Sequence, residues 1–182
     1  MCKQCEANPV YEFTNQRKLC KNCFITYFNK KVLFTLRKYH LIKSGDVIGY
    51  KKSEGFREVV LENILLFISE KYGFNITKLP NKKANKIAVA STLDSESHDI
   101  VKSFVDEDVS NIKKMLPSDG NFIKPLYLFL DEEILLYAKL KNLKYKTVKK
   151  TGDRINNLLD NFEKKHPEVK RAVVNSILEL YD

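Results

Sequence analysis

The stretch GDVIGYKKSEGFREVVLENILLF, residues 45–67, contains the pattern that decides the fold of this chain. Its apolar segment Val47–Tyr50 predicts a short strand, and Phe56–Tyr72 predicts a helix with apolar side chains on its inner face. A strand, a short loop and a helix N-terminus in this order are typical of a phosphate site, because loop amides and the first helical turn face an anion. The intervening loop carries Lys51, Lys52, Ser53, Glu54 and Gly55.

Strands and helices continue to alternate beyond this stretch. Residues 74–79 and 86–92 predict further strands, and residues 95–105 predict a helix. Such alternation is typical of parallel strands joined by crossover helices. We therefore expect an α/β fold with a parallel sheet, flanking helices and a helical C-terminal region broken at His166 and Pro167.

All four cysteines lie at or before Cys23, as two CxxC pairs: Cys2 with Cys5, and Cys20 with Cys23. A CxxC turn directs two thiolates to one point, and two such turns complete a tetrahedral cage for zinc. The spacing predicts a zinc ribbon, with an iron–sulfur centre or redox thiols as the alternatives. Because a closed four-cysteine site has no open position for substrate, we expect this zinc to be structural.

The composition indicates a folded chain without a membrane anchor. Hydrophobic residues make up 43% of the 182 residues and aromatic residues 11%, as in globular proteins. No apolar run approaches the roughly 20 residues that span a bilayer, and the N-terminus lacks the apolar core of a signal peptide. We therefore expect a cytoplasmic protein with no membrane partner. The net charge of +9 favours polyanions such as RNA, although lysine-rich surfaces also arise from composition and solubility alone.

Two segments concentrate basic residues and predict where RNA would bind. The first is an amphipathic helix near the N-terminus, which either only packs on the main domain or also presents a basic face. Its apolar residues recur at helical spacing: Phe24, Tyr27, Phe28, Val32, Phe34 and Leu36. Its basic candidates are Lys30, Lys31, Arg37 and Lys38. The second segment, residues 139–150, is the densest basic stretch and supplies Lys144, Lys146, Lys149 and Lys150.

In this order the segments resemble the cytoplasmic tRNA 2-thiouridine synthetases of the PP-loop ATP pyrophosphatase superfamily, whose fold is adenine nucleotide alpha-hydrolase-like. In that family a CxxC…CxxC ribbon and an aromatic-basic helix precede a strand and an SGGKDS loop that adenylates the target uridine. The stretch IAVASTLDSESHDIVKSFV is similar to the family segment ATGHNLDDEAQ and retains Asp94. The block FIKPLYLFLDEEILLYAKLKNLKY matches the family pattern PL…E-E…YA, and residues 163–167 match its E-x-x-H-P region.

The chain departs from the family in the residues that carry its chemistry. Tyr50 and Glu54 bring bulk and negative charge to a loop that needs small residues, because backbone amides must approach the phosphates. We interpret the loop as a relict in which ATP binding is disfavoured. The residues that could still meet a nucleotide there are Lys51, Lys52, Ser53, Gly55 and Asp94. Sulfur transfer in the family requires thiolates, yet no cysteine follows Cys23, so we expect neither an iron–sulfur cluster nor catalysis.

These patterns predict four parts: a zinc ribbon (1–23), a linking amphipathic helix (24–44), a truncated PP-loop-like α/β domain (45–130) and a basic helical C-terminal region (131–182). We expect a catalytically inactive relative that binds tRNA or serves as an accessory subunit in tRNA modification. A catalytically intact thiolation paralogue is the expected protein partner, and the resemblance also implies a homodimer. Two alternatives stay open: a regulatory protein-interaction module without RNA binding, and a nucleotide-dependent tRNA-modifying enzyme with altered chemistry.

Overall fold

A computed structural model describes residues 1–108, 110–146 and 153–181 of the chain. Within these ranges the chain forms a two-stranded hairpin, a five-stranded sheet, six α-helices and one short 3-10 helix. In chain order the elements are β1 (Tyr11–Glu12), β2 (Lys18–Leu19), α1 (Lys21–Lys38), β3 (Val47–Tyr50), α2 (Phe56–Tyr72), β4 (Asn75–Lys78), β5 (Lys86–Ala88), α3 (Leu93–Val105), the 3-10 helix (Ile112–Met115), β6 (Ser118–Asp119), β7 (Phe122–Ile123), α4 (Asp131–Leu140), α5 (Arg154–Lys165) and α6 (Val169–Glu179).

The sheet is mainly parallel, with the strand order β4-β3-β5-β7-β6. β3 lies between β4 and β5 and is parallel to both, and β7 is parallel to β5. Only the short edge strand β6 pairs antiparallel within this sheet of the described residues. The predicted α/β fold with a parallel sheet and flanking helices is therefore confirmed.

The direction of the crossovers locates the ligand-binding edge of the sheet. From β3 the chain passes through α2 to β4, whereas from β5 it passes through α3 to the opposite side and β7. Right-handed crossovers in opposite directions put α2 and α3 on opposite faces and leave a crevice outside the carboxyl ends of β3 and β5. We call this place the switch-point crevice. Residues 51–55 and 89–92 border it because they follow these two strands directly.

Two apolar clusters cover the two faces of the sheet. The larger contains the inner sides of α1, α2 and α4, where Phe28 stacks on Tyr137 with ring centroids 4.1 Å apart and lies 4.2 Å from the Phe129 ring. The smaller joins α3 to α6 through Ile100 and Val174. The hairpin belongs to the larger cluster through Leu19, so one continuous core connects the N-terminal module to the sheet.

Helix α1 buries a narrower face than its apolar pattern predicts. Phe24, Phe28 and Val32 are buried, but Phe34 is 50% exposed on the opposite side. Grouping Phe34 with the packed residues was wrong, because a step of two residues turns an α-helix by roughly 200°. Among the described residues, no helix combines the length and apolarity needed to cross a bilayer.

Truncation of Phe28 tests this packing. Phe28→Ala should lower the free energy of unfolding by about 3–5 kcal/mol, because it leaves a cavity between two aromatic rings. The matched control is Phe34→Ala, the same deletion on the exposed side of the same helix, with an expected effect within about 0.5 kcal/mol. Urea denaturation followed by circular dichroism measures both. Equal losses from the two variants would contradict the placement of Phe28 in the core.

Candidate metal centre and nucleotide crevice

A hairpin brings the two CxxC turns together. β1 and β2 pair antiparallel, with Tyr11 opposite Leu19. The first CxxC turn precedes β1, and the backbone N–H of Lys3 donates to the carbonyl of Lys18 at 3.0 Å. The second turn starts α1, where Cys20 is the N-cap residue and Cys23 lies in the first helical turn. We refer to residues 1–23 as the ribbon.

The four cysteine sulfurs converge on one point. All four Sγ atoms lie within 4.8 Å of one another, with 3.4 Å between Cys5 and Cys20 and 3.6 Å between Cys5 and Cys23. A single ion with Zn–S bonds of about 2.3 Å separates tetrahedral thiolates by about 3.8 Å. The backbone N–H of Gln4 donates to Cys2 Sγ at 3.5 Å and lowers the pKa of this thiol to about 6, whereas the contact with the Cys5 thiol raises the pKa of Cys23. These cysteines can therefore hold a metal ion.

The loop after β3 has no open cradle for phosphates. The Tyr50 side chain is buried, and its hydroxyl donates to the Glu62 carboxylate at 3.0 Å. Glu54 is held by Lys146, whose ammonium pairs with its carboxylate and whose backbone N–H donates to its carbonyl at 2.7 Å. Gly55 is the N-cap of α2, and a Cβ there would overlap the Glu58 carboxylate. A carboxylate thus lies at the helix N-terminus, where the family fold would receive an anion.

The switch-point crevice is filled by the protein's own charges. Arg57, in the first turn of α2, donates to both carboxylate oxygens of Asp131 at 2.8 and 2.6 Å. Thr92 Oγ1 donates to the same carboxylate at 3.0 Å, and the Asp131 backbone N–H donates to Asp94 Oδ2 at 2.7 Å. The other oxygen of Asp94 accepts from Lys170 Nζ at 2.7 Å. Every charged group in this network is therefore already paired.

Lys170 reaches this network from α6. Its ammonium is largely buried and contacts Asp160 Oδ1 at 2.6 Å as well as Asp94. Burial alone would lower the pKa of Lys170, but its hydrogen bonds to the two carboxylates outweigh burial and raise the pKa. The lysine therefore stays positively charged and holds α6 against the start of α3.

An acidic cleft of about 540 Å³ opens beside the crevice, between the ribbon, α4 and the helices α5 and α6. Tyr11 donates to Glu132 at 3.2 Å and Thr14 donates to Glu168 at 2.9 Å, so the hairpin forms one wall of the cleft. Eight carboxylates and three cations line this cleft: Glu12, Asp94, Asp131, Glu132, Glu133, Asp160, Glu163, Glu168, Lys164, Lys170 and Arg171. This excess of negative charge disfavours a nucleotide triphosphate.

The chain is similar to tRNA thiolation proteins. No protein-family model matches the chain. Cytoplasmic tRNA 2-thiolation protein 1 of Scheffersomyces stipitis is 23% identical over 149 residues, which is 78% of this chain and 36% of that protein. The Meyerozyma guilliermondii protein of the same name is 35% identical over 63 residues, which is 35% of this chain and 17% of that protein. The matches thus span 36% of one relative and 17% of the other.

The fold is similar to that of a solved thiolase over almost the whole chain. The U34-tRNA thiolase NcsA from Methanococcus maripaludis, solved with its [4Fe-4S] cluster, superposes with a TM-score of 0.78. The superposition covers 98% of this chain and 86% of the thiolase at 19% identity. The chain is a distant relative of the tRNA thiolation proteins.

The basic residues that the sequence predicts to bind RNA lie in different environments. Lys30, Arg37, Lys38 and Lys144 are exposed. Lys31 instead points inward, pairing with the buried Glu133 at 2.9 Å and lying 4.4 Å from the Phe129 ring centroid. Lys146 is exposed and pairs with Glu54. Lys149 and Lys150 lie outside the described residues.

The predicted loop residues are likewise separated. Lys51, Lys52 and Ser53 are exposed beside the crevice, whereas Asp94 points away from them toward Lys170. Arg57, Asp131 and Lys170, which fill the crevice, were missed in the sequence analysis. Their partners lie far along the chain, so local spacing carries no signal for these pairs.

Removal of Arg57 tests the network. Arg57→Ala should lower the free energy of unfolding by about 3 kcal/mol, because it leaves Asp131 buried without its cation. Lys52→Ala, in the exposed loop nearby, should change it by less than about 0.5 kcal/mol. A double-mutant cycle combines Arg57→Ala with Asp131→Asn. The free energy of unfolding that the double variant loses should be smaller than the sum of the two single losses, by at least about 0.5 kcal/mol. Additive losses in urea denaturation would show that the two residues are not coupled.

Proposed function

We propose that this chain is a catalytically inactive relative of the tRNA thiolation enzymes that binds tRNA as an accessory subunit in tRNA modification. The observation that carries the proposal is the self-filled switch-point crevice. In open α/β sheets this is the position where ligands bind. Here the Arg57–Asp131 and Lys170–Asp94 pairs occupy it, and a nucleotide would have to break buried ion pairs to enter.

The proposal that this chain does not transfer sulfur rests on its cysteines. All four thiols converge on one candidate metal site, and this sequence has no other cysteine. A thiolate coordinated in a closed tetrahedral site is not free to carry a persulfide or to hold a separate cluster. A catalytically intact thiolation paralogue is therefore the partner we propose, and the cytoplasm is the proposed compartment.

We propose zinc as the metal, in a structural role. The sulfur separations of 3.4 and 3.6 Å suit a single ion. A [4Fe-4S] cluster, such as the one named for the archaeal thiolase, places four irons and four sulfides between the thiolates and would hold them farther apart. The zinc would keep the two CxxC turns and the start of α1 in register.

Metal analysis tests the zinc assignment. Purified protein should contain about one zinc per chain, and Cys20→Ser should lose it, because a closed site needs all four ligands. Lys21→Ala, at the adjacent exposed position, is the matched control and should retain the metal. Elemental analysis and the visible spectrum together decide the outcome. Iron together with a broad visible absorption would assign an iron–sulfur cluster to the site instead of zinc. A folded wild-type protein without metal would refute the site.

The tRNA proposal rests on charge as well as on the relatives. The chain carries a net charge of +9. Within the part of the chain that the structure describes, Lys30, Arg37, Lys38 and Lys144 have no carboxylate within ion-pair distance. Such cations can contact phosphates and release counterions without first giving up an internal partner.

Binding of bulk tRNA across a salt series, with duplex DNA as competitor, tests the function. We expect tight, tRNA-preferring binding that weakens steeply with salt. Lys144→Glu should weaken binding and lower the salt slope by about one, as for the loss of one phosphate contact. Lys83→Glu makes the same charge change at an exposed position in the loop before β5 and serves as the control.

Three outcomes would contradict the proposal. The absence of tRNA binding, or equal affinity for DNA, would favour a protein-interaction module. ATP turnover that is lost in Lys52→Ala would favour an enzyme with altered chemistry. If Lys144→Glu and Lys83→Glu weaken tRNA binding equally, the tRNA does not contact the C-terminal basic segment specifically.

A further inference from the structure

We propose that the exposed side of α1 recognises an unpaired RNA nucleotide, with Phe34 stacking on the base and Lys30, Arg37 and Lys38 holding its phosphates. This inference rests on the proposed tRNA binding and names the surface and the kind of RNA structure that it reads. These four residues are called the basic face of α1.

The four side chains form one patch by helical geometry. Lys30 and Phe34 are four residues apart, and Arg37 and Lys38 follow Phe34 by three and four residues. Residues at these spacings are neighbours on a helix surface, with about 5–6 Å between their Cβ atoms. Phe34 therefore lies at the centre of the patch, with a cation one turn before it and two cations one turn after it.

The burial and charge of these residues set them apart from the neighbouring Lys31. Lys31 is turned inward and neutralised by Glu133 at 2.9 Å. The three basic-face cations have no carboxylate partner within ion-pair distance among residues 1–108, 110–146 and 153–181. Arg37 makes only a weak local hydrogen bond, from Nε to the Leu33 carbonyl at 3.3 Å. Lys38 Nζ lies 5.2 Å from the centroid of the Tyr39 ring. Within the described ranges, no carboxylate therefore neutralises these three charges.

Phe34 is the most exposed phenylalanine of α1. Its side chain is 50% exposed, whereas Phe24 and Phe28 on the same helix are fully buried. A single exposed apolar residue is common on protein surfaces, but this one lies among three cations that have no carboxylate partner in the described part of the chain. Aromatic rings between phosphate-binding cations are the arrangement by which proteins hold single-stranded nucleic acid, because the ring stacks on a base while the cations track the backbone.

This chemistry favours an unpaired base over duplex RNA. The bases of an A-form helix are stacked inside, and its major groove is too narrow for side chains to read. A phenylalanine ring can stack only on a base that is splayed out, as in a loop or bulge. The ligand predicted by the basic face is therefore a single-stranded nucleotide in a structured RNA.

The metal site holds this surface in place. Cys20 caps α1 and Cys23 lies in its first turn, while the buried side of the helix packs on α4 through Phe28 and Tyr137. The basic face is thus presented on a helix that is fixed at its start and along its length. Such preorganisation lowers the entropic cost of binding.

Fluorescence anisotropy with two RNAs tests the inference: a short stem–loop with unpaired loop bases, and a fully paired duplex of similar length. Phe34→Ala should weaken stem–loop binding by about 5- to 100-fold, change duplex binding less than twofold, and leave the salt slope unchanged, because stacking carries no charge. Phe34→Trp should retain binding. Leu66→Ala, which removes another exposed apolar side chain, 42% exposed on α2, is the control.

Lys30→Ala should weaken binding to both RNAs and lower the salt slope by about one.

The outcomes separate this inference from the proposed function. If wild-type protein binds tRNA and Phe34→Ala binds the stem–loop equally well, the basic face is refuted while tRNA binding stands. Equal weakening for stem–loop and duplex would refute base stacking. If the wild type binds neither these two RNAs nor bulk tRNA, both proposals fail. Binding to vesicles of anionic phospholipid that is lost in Phe34→Ala, without any effect on RNA, would assign the face to a membrane surface instead.

Discussion

The ion pair between Arg57 and Asp131 is the interaction on which the switch-point crevice depends. It joins the first turn of α2 to the first turn of α4 through two hydrogen bonds of 2.8 and 2.6 Å. Because Asp131 also accepts from Thr92 and donates its backbone N–H to Asp94, the pair extends to the start of α3. The starts of α2, α3 and α4 are therefore bound to one another by hydrogen bonds and an ion pair.

The three carboxylates in the first turn of α4 contact three different parts of the fold. Asp131 binds Arg57 on α2, Glu132 accepts from Tyr11 on the hairpin, and Glu133 pairs with Lys31 on α1. Glu133 also accepts from the Leu130 backbone N–H and so helps to cap its own helix. Buried ion pairs add little net stability, but loss of one partner is costly. These pairs therefore act mainly by specifying how the ribbon, α1 and α2 meet, and they hold Lys31 on the inner side of α1.

Local patterns predicted the elements around the loop well. The segments Val47–Tyr50 and Phe56–Tyr72 form β3 and α2 with the predicted bounds, because a strand buried on both faces and a helix with an apolar side have distinct periods. The prediction of a strand over residues 86–92 was too long, since β5 ends at Ala88 and Thr92 caps α3. Asp131 is the first residue of α4, and its carboxylate binds Arg57 on α2.

The sequence by itself determined the candidate metal ligands and the α/β order of elements. Both depend on short-range spacing: two CxxC turns, and apolar periods within single strands and helices. Only the tertiary structure decided what occupies the crevice, because Arg57 and Asp131 are 74 residues apart and Asp94 and Lys170 are 76 apart. It also decided that Lys31 points inward while Phe34 points outward. Adjacent turns of a helix leave those directions open until the helix packs, and the free energy of burying one side chooses between them.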